Sequence, residues 1–473
     1  VTQPLVVVPN GPLVNQFAAA QIQSPEWWLR RLHAEIVNRL PDLVLYDDYY
    51  SGDHPLPWLP ERARGEFRRI LAMSRANLMG LVVDATAERL ALEGFRLDGA
   101  DGSDEDTWRI WKANNLDEDF DKAILEALIG GTSYTLVQPN GTDTPDVFIE
   151  HASQAIVAYQ PGSNRRRKAA GLKLWVDDWT GLLCATLDLG AWLFKFEASL
   201  PKGPYDAAKV EWRQRLVRGE SWPAVNPLGE VALTELPNNP RLMTGGVSEI
   251  ADVIDNQDRI NKTLADRLMT QDFGAFPAVF ASGFPDDGDE VEIGRDRMVT
   301  TDVVETKWWQ MTAAPLDPYS AAKREDVKDI ASRTRTPAQY LLGEMSNVNG
   351  ETLKASESGL VAKCRQRMRP FGGGAVGTMM LARKAAGLPA PDARMESMWR
   401  NPEFRTEGET TDAAVKQLHS GIRDLRAARE FVGISETAIK EMEGRADTLD
   451  PVASQIARQF QAAAGLTSDV ASA

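Results

Sequence analysis

Apolar residues recur at helical spacing in several long stretches of this chain and bunch into short β-rich runs in others. The pattern predicts a mixed α+β protein. From Ser24-Pro25, the residues Trp27, Trp28, Leu32, Ile36 and Leu40 fall on one helical face. Ser24 suits an N-cap with proline in the first turn, and Pro41 is expected to stop that helix. Residues 47–60 read as a loop with a few apolar anchors. The helical pattern resumes through Phe67, Ile70 and Leu71 and again over Leu78–Leu90. Trp108, Trp111, Leu116, Phe120, Ile124 and Leu128 then mark a helix pair closed by Gly130-Gly131. Strand-like runs follow at 133–139, 146–151, 155–160, 171–177 and 184–196. Together, 25–246 reads as an α+β domain with mostly antiparallel strands, preceded by an arm over 1–24 that keeps no period.

From Val247 the period turns helical again. Ile250, Val253, Ile254, Ile260, Leu264 and Leu268 share a face over 247–271, a helix of about 37 Å at 1.5 Å per residue. Residues 272–316 are strand-rich, with turns at Gly283, Gly288 and Gly294 and a Trp308-Trp309 pair near the end. Asp317-Pro318 reads as an N-cap with proline at N1, opening a second helix over 317–336 through Val327 and Ile330. That helix ends ahead of Pro337. Tyr340, Leu341 and Leu342 form a short apolar anchor. A polar loop follows between Gly343 and Gly350, made of Glu344, Met345, Ser346, Asn347, Val348 and Asn349, the last a candidate N-cap. Leu353, Leu360, Val361, Cys364, Met368 and Phe371 then line a long amphipathic helix. Pro370 and Gly372–Gly374 are expected to kink or break it. From 388 the chain is punctuated by prolines, then helical at 411–419, 424–432 and 435–442, with Gly421 and Gly433 at C-cap positions.

Composition narrows the reading. With 43% hydrophobic and 26% charged residues, the 473-residue chain is of ordinary globular make-up. A net charge of −15 argues against tight duplex binding, which relies on cations displacing counterions from phosphate, and suits a surface along which DNA slides. Cys184 and Cys364 stand far apart in no metal or redox spacing. No apolar run approaches the roughly 20 residues of a membrane span, and the opening segment lacks the features of a signal peptide. The expectation is a soluble protein, intracellular when made, with no membrane partner.

Candidate chemistry is sparse. The acidic run 98–106, DGADGSDED, lacks the ligand spacing of an EF-hand and reads as a solvated turn. Arg165, Arg166, Arg167 and Lys168 lie between strands and read as a hairpin tip before a nucleic-acid grip. Gly372, Gly374 and Gly377 match G-x-G-x-x-G, but a charged helix and not a strand precedes them. His33, His54, His151 and His419 stand alone, and Gly246-Val247-Ser248 is followed by Glu249-Ile250, so no G-x-S-x-G arises. A Walker A motif is absent as well. No catalytic residue, metal or cofactor is expected.

The wording of 336–363, TPAQYLLGEMSNVNGETLKASESGLVAK, closely resembles the tunnel-loop region of tailed-bacteriophage portal proteins of the siphophage type. So does 77–97, NLMGLVVDATAERLALEGFRL, where that family runs a helix into a strand. The resemblance covers most of 25–445. It implies a portal-protein fold: an N-terminal arm (1–24), a wing (25–246), a stem helix (247–271), a clip (272–316), a second stem helix (317–336), a tunnel loop with a long kinked helix (337–387) and a helical crown with a tail (388–473). It further implies a ring of this chain, usually of twelve subunits, at the capsid portal vertex of the virion, assembled in the host cytoplasm. Double-stranded DNA would pass without sequence preference during packaging and ejection. Terminase, the major capsid protein and a head–tail adaptor are the implied partners, and no enzymatic activity is implied. Carried onto this chain, Glu344, Met345, Ser346, Asn347, Val348 and Asn349 would face the DNA channel with Lys354 one turn into the helix. Trp308 and Trp309 would sit in the clip or at a subunit interface. Twelve copies would bring −15 to about −180, a field that repels phosphate from a narrow bore. The alternative is another virion structural or adaptor protein without a DNA channel.

Overall fold

Helix α1 (Pro25–Ser51) opens the described chain, its Ser24 Oγ accepting the Trp27 N–H at 3.2 Å. The computed structural model describes residues 23–58, 68–97, 104–163, 165–200, 205–242, 244–275, 279–282, 307–310, 314–343, 350–391, 394–403, 407–422, 424–434, 438–439 and 441–444. Pro41 does not stop α1. It is exposed, while Leu43 and Tyr49 beyond it are buried, so packing of the last turns outweighs one lost backbone bond. Residues 47–51 are therefore the helix's final turn and not a loop, and Gly52 closes it at φ 86°.

Helix α2 (Met79–Ala87) runs into β1 (Leu92–Leu97). The expected helix pair is α3 (Glu105–Ala113) and α4 (Leu116–Gly130), closed by Gly131 at φ 89°. Next come β2 (Thr132–Gln138), β3 (Asp146–Glu150), β4 (Ala155–Tyr159), β5 (Lys168–Asp177), β6 (Leu182–Asp188) and β7 (Trp192–Ser199). The run expected as one strand over 184–196 is two, because Gly190 at φ 82° turns the chain back on itself. Short strands β8 (Arg213–Gln214) and β9 (Ala224–Val225) and a longer β10 (Leu233–Pro237) complete this region. The strands form two antiparallel sheets, ordered β10-β2-β3 and β4-β5-β6-β7-β8, with β9 beside β7. Leu29, Leu32 and Ile36 of α1 bury against Ile156, Leu172, Leu187 and Phe196 of the larger sheet.

Helix α5 (Ile254–Ala275) begins seven residues later than its period suggested. Ile250 and Val253 are fully buried, but in turns: Asn238 Nδ2 donates to the Val247 carbonyl at 2.7 Å, and the Glu249 N–H to Leu128 O at 2.9 Å. Strands β11 (Val279–Ser282) and β12 (Lys307–Gln310) pair as an antiparallel ribbon. Helix α6 (Asp317–Thr334) has Leu316 as its cap residue, one earlier than expected. It lies antiparallel to α5: Arg333 Nη1 donates to Asn256 at 2.9 Å, Arg259 pairs with Asp326 at 2.9 Å, and Thr270 donates to Tyr319 at 3.1 Å.

A short α7 (Ala338–Leu342) is followed by α8 (Gly350–Ala385), an unbroken 36-residue helix of about 54 Å. Pro370 and the three glycines sit inside it and do not break it. Leu360, Cys364, Met368, Phe371, Ala375 and Met379 form its buried face, packed with Met79, Val82, Phe95, Ile124, Leu128 and Ile330 into the largest core of the molecule. Strand β13 (Met395–Trp399), in the stretch expected to be irregular, pairs antiparallel with β1 across some 300 residues of chain. Helix α9 (Glu407–His419) starts four residues early, and α10 (Leu425–Val432) is capped by Asp424 and by Gly433 at φ 88°. Of the helix expected at 435–442, residues 438, 439, 441 and 442 are described and helical, and the other four lie outside the described residues. Among the described residues no helix is long and apolar enough to cross a membrane.

Candidate functional site

The lips of the Gly343–Gly350 loop are built from α7 and the first turns of α8. Gly343 ends α7 in the left-handed region at φ 65°, its N–H bonded to Gln339 O at 3.0 Å. Glu344, Met345, Ser346, Asn347, Val348 and Asn349 lie outside the described residues. Their two flanks are tied to each other. Tyr340 Oη donates to Glu357 Oε1 at 2.5 Å, and Gln339 Nε2 donates to Ser356 Oγ at 3.0 Å. Arg89, in the turn just past α2, donates from Nη2 to Tyr340 Oη at 2.8 Å and lies 3.4 Å from Glu357 Oε2. Its Nη1 donates to Pro402 O at 2.8 Å. Glu357 is buried, and burial together with its bond to Glu357 pushes the Tyr340 phenol above its usual range, so the phenol stays a donor. Charge-assisted bonds of this kind are about twice as strong as neutral ones and tie the end of α7 to the first turns of α8. The sequence marked Tyr340 only as an apolar anchor, and nothing near Arg89 signalled a partner some 250 residues away.

Lys354 is not a free cation. Its Nζ lies 2.6 Å from Glu409 Oε1 of α9, with both side chains about half exposed. A second pair, Arg365 to Glu403 at 2.6 Å, also fastens the segment before α9 to α8. Between the helices runs a cleft of about 640 Å³ lined by Lys354, Glu357, Val361, Arg365 and Glu409. Exposed pairs of this type contribute only about 0–1 kcal/mol each, so Lys354 can exchange partners cheaply.

Two turns along α8 lies a cluster that sequence reasoning missed. Glu249 Oε1 accepts from Arg367 Nε at 2.5 Å and from Asn238 Nδ2 at 3.1 Å, and Lys363 Nζ is 3.6 Å from its other oxygen. All three charged side chains are less than a tenth exposed. Burial alone would raise the Glu249 pKa, but Lys363, Arg367 and the Asn238 bond outweigh it and hold the carboxyl below its usual range. Burial pulls the Lys363 ammonium below its own range against the pull of Glu249. The N-terminal half of α8 is thereby pinned to the turn that leads into α5.

The other candidates fall elsewhere. Trp308 and Trp309 sit in β12, opposite Ala281 and Phe280 in the ladder, and Trp309 is half exposed. The basic cluster is a β4–β5 hairpin tip, and the structure divides it. Arg165 at φ 60° pairs with the buried Glu235 and stacks on Tyr159, and Lys168 donates to Thr234 Oγ1 at 3.0 Å. Burial brings the Lys168 pKa down to about 8. Arg166 and Arg167 remain exposed. The end of the acidic run is not a solvated turn either. Asp104 caps α3 through the Thr107 N–H at 3.1 Å and pairs with the buried Arg383 at 2.6 Å, while 98–103 lie outside the described residues. His33 and His54 are buried and bonded to Tyr205 and Asn261, and burial brings His33 down to about 4. Among the described residues no group of three metal-ligating side chains converges.

Comparison with known proteins matches residues 29–448 to the family described as phage portal protein, SPP1 Gp6-like. The portal protein of Mycobacterium phage L5 is 28% identical over 447 residues, an alignment covering 89% of this chain and 88% of the relative. That of Mycobacterium phage D29 is 30% identical over 391 residues, covering 76% of each. Among solved structures, a chain of the virion of a native gene transfer agent particle aligns over 80% of this chain and 95% of its own length, at 12% identity and a TM-score of 0.41.

Proposed function

This chain belongs to the phage portal protein family, SPP1 Gp6-like, and on that premise we propose that it forms the ring at a capsid vertex through which double-stranded DNA is packaged and later ejected. Portal proteins are structural parts of the virion and not enzymes, so the ATP hydrolysis that drives packaging belongs to a separate motor. In this reading 25–246 is the wing, α5 and α6 form the stem, 272–316 the clip, 337–387 the tunnel loop with its long helix, and 388–473 the crown. Terminase and the head–tail adaptor dock on the ring in turn, and the major capsid protein surrounds it. The observation that carries the reading is the family match over 29–448. The clamp of Arg89, Tyr340 and Glu357 supports it, because a loop that meets moving DNA needs a base that does not move with it.

Averaged images of the purified protein test the proposal: closed rings with an axial hole are expected, and compact particles without one would overturn it. Within such rings Glu344→Lys replaces one negative by one positive charge per subunit at the constriction, a net change of about two charges. Phosphate affinity grows with each cation engaged, so DNA is expected to be retained more firmly and packaged more slowly, with assembly unchanged. An unaltered packaging rate and DNA yield in rings confirmed intact would remove the loop from the channel.

Trp309 is half exposed in a two-stranded ribbon, a structure of marginal stability alone. Aromatic residues are enriched at interface centres, where truncation costs about 2 kcal/mol or more. Trp309→Ala is therefore expected to weaken ring assembly, read by particle mass against concentration, with little change in the subunit's melting. A melting loss with assembly intact would place the ring in the subunit's own core.

A further inference from the structure

Most arginines on the described part of α8 are neutralised: Arg365 by Glu403, Arg367 by Glu249 and Arg383 by Asp104. Arg369 and four arginines on segments that follow one another beside that helix are not. Their series begins with the exposed Arg166 and Arg167 at the β4–β5 tip. The turn carrying Arg241 lies against this tip, since a Cβ at Gly245 would stand 3.9 Å from Arg165 Nη2. That turn is in turn tied to α8, where Gln366 Nε2 donates to Asn239 Oδ1 at 3.3 Å. One helical turn further on is the exposed Arg369, which shares a groove of about 610 Å³ with Arg394 over a floor of Gly372 and Gly373. Among the described residues, Arg166, Arg167, Arg241, Arg369 and Arg394 take part in no ion pair. One carboxylate, Glu396, lines the groove; its ladder neighbour Arg96 pairs with Glu430 at 3.1 Å.

Five guanidinium groups that form no ion pair among the described residues, on a chain of net charge −15, make a local field opposite to that of the whole molecule. Guanidinium matches phosphate oxygens in a bidentate fork, and a line of such groups matches a polymer of phosphates better than a single anion. We propose that Arg166, Arg167, Arg241, Arg369 and Arg394 form a track for the phosphate backbone of double-stranded DNA, at a place distinct from the Gly343–Gly350 loop. The inference rests on the portal reading for its ligand. It adds a contact that holds DNA against the body of the subunit, where the loop by contrast lets DNA slide.

The test is fluorescence anisotropy of a labelled mixed-sequence duplex with the assembled protein across a range of salt. Arg166→Ser with Arg167→Ser, and separately Arg369→Ser with Arg394→Ser, are each expected to weaken binding about tenfold or more at low salt. Each pair should also flatten the salt dependence by about one unit of slope per arginine. The matching Arg→Lys pairs, which keep the charge, should retain most of the affinity. Unchanged affinity in both serine pairs, or no duplex binding by the unaltered protein at low salt, overturns the track. Serine variants that no longer assemble, judged by particle mass, would instead assign the arginines to an acidic surface of a neighbouring copy and overturn the DNA assignment. Images lacking an axial hole would sink the channel reading without touching this measurement.

Discussion

Glu249→Ala is expected to cost about 3–5 kcal/mol of stability, because it leaves Lys363 and Arg367 buried without a counter-charge. The loss should appear as a lower melting temperature and as faster amide exchange in the N-terminal half of α8. Removing the whole cluster tests the cause. Glu249→Leu combined with Lys363→Met and Arg367→Met should recover most of the loss, since a buried ion pair is worth little over apolar residues of similar volume. A single-variant cost under about 1 kcal/mol would mean that water reaches these side chains and that the cluster does not pin the helix. The pH dependence has a definite sign. The native carboxyl keeps its proton off below the ordinary value of 4.5, at which the unfolded chain begins to take one up. The stabilisation is therefore complete above that value and is lost as pH falls through the lower native one. Glu249→Gln should flatten this part of the acid denaturation curve.

Gly372→Ala and Gly374→Ala should each destabilise the protein by about 1–3 kcal/mol, while Gly373→Ala between them should stabilise it by about 0.5–1 kcal/mol. In a free helix all three changes would help, because alanine loses less conformational entropy than glycine on folding. The surroundings reverse the sign at two of the three. A Cβ at Gly372 would stand 2.2 Å from Ser397 Oγ and 3.1 Å from Trp399 Nε1 of β13. One at Gly374 would stand 2.3 Å from Leu236 Cδ2 and 3.0 Å from the Glu235 carbonyl of β10, and Leu236 is fully buried with little room to shift. At Gly373 the position is open. Chemical or thermal melts of the three variants check the pattern. If all three stabilise, the two strands do not press on α8 as described.

The same glycines show how far local signals carry. Read along the chain, proline and three glycines signal a helix end, since each lowers helix propensity. In the fold Gly372 and Gly374 are the places where β13 and β10 come close to a continuous helix, and the packing they allow outweighs the propensity they cost. Pro41 repeats the lesson in α1, where buried Leu43 and Tyr49 carry the helix past it. The expected strand at 184–196 failed for the converse reason. Its apolar run continues through a two-strand hairpin, and only Gly190 marks the reversal.

By itself the sequence determined what depends on neighbours within a few residues. Caps at Ser24 and Gly433, the buried face Leu360–Phe371 of α8, the α2-to-β1 passage and the antiparallel run of short strands were all written in local period and turn chemistry. The portal-family wording at 336–363 was legible too, and the family match over 29–448 agrees with it. The tertiary structure alone decided which charges meet. Arg89 with Tyr340 and Glu357, Glu249 with Lys363 and Arg367, Lys354 with Glu409, and β1 with β13 join positions from 17 to about 300 residues apart. A hydrogen bond or ion pair acts over a few ångströms of space and leaves no trace in the spacing of its partners along the chain, so only the folded path brings such partners into view.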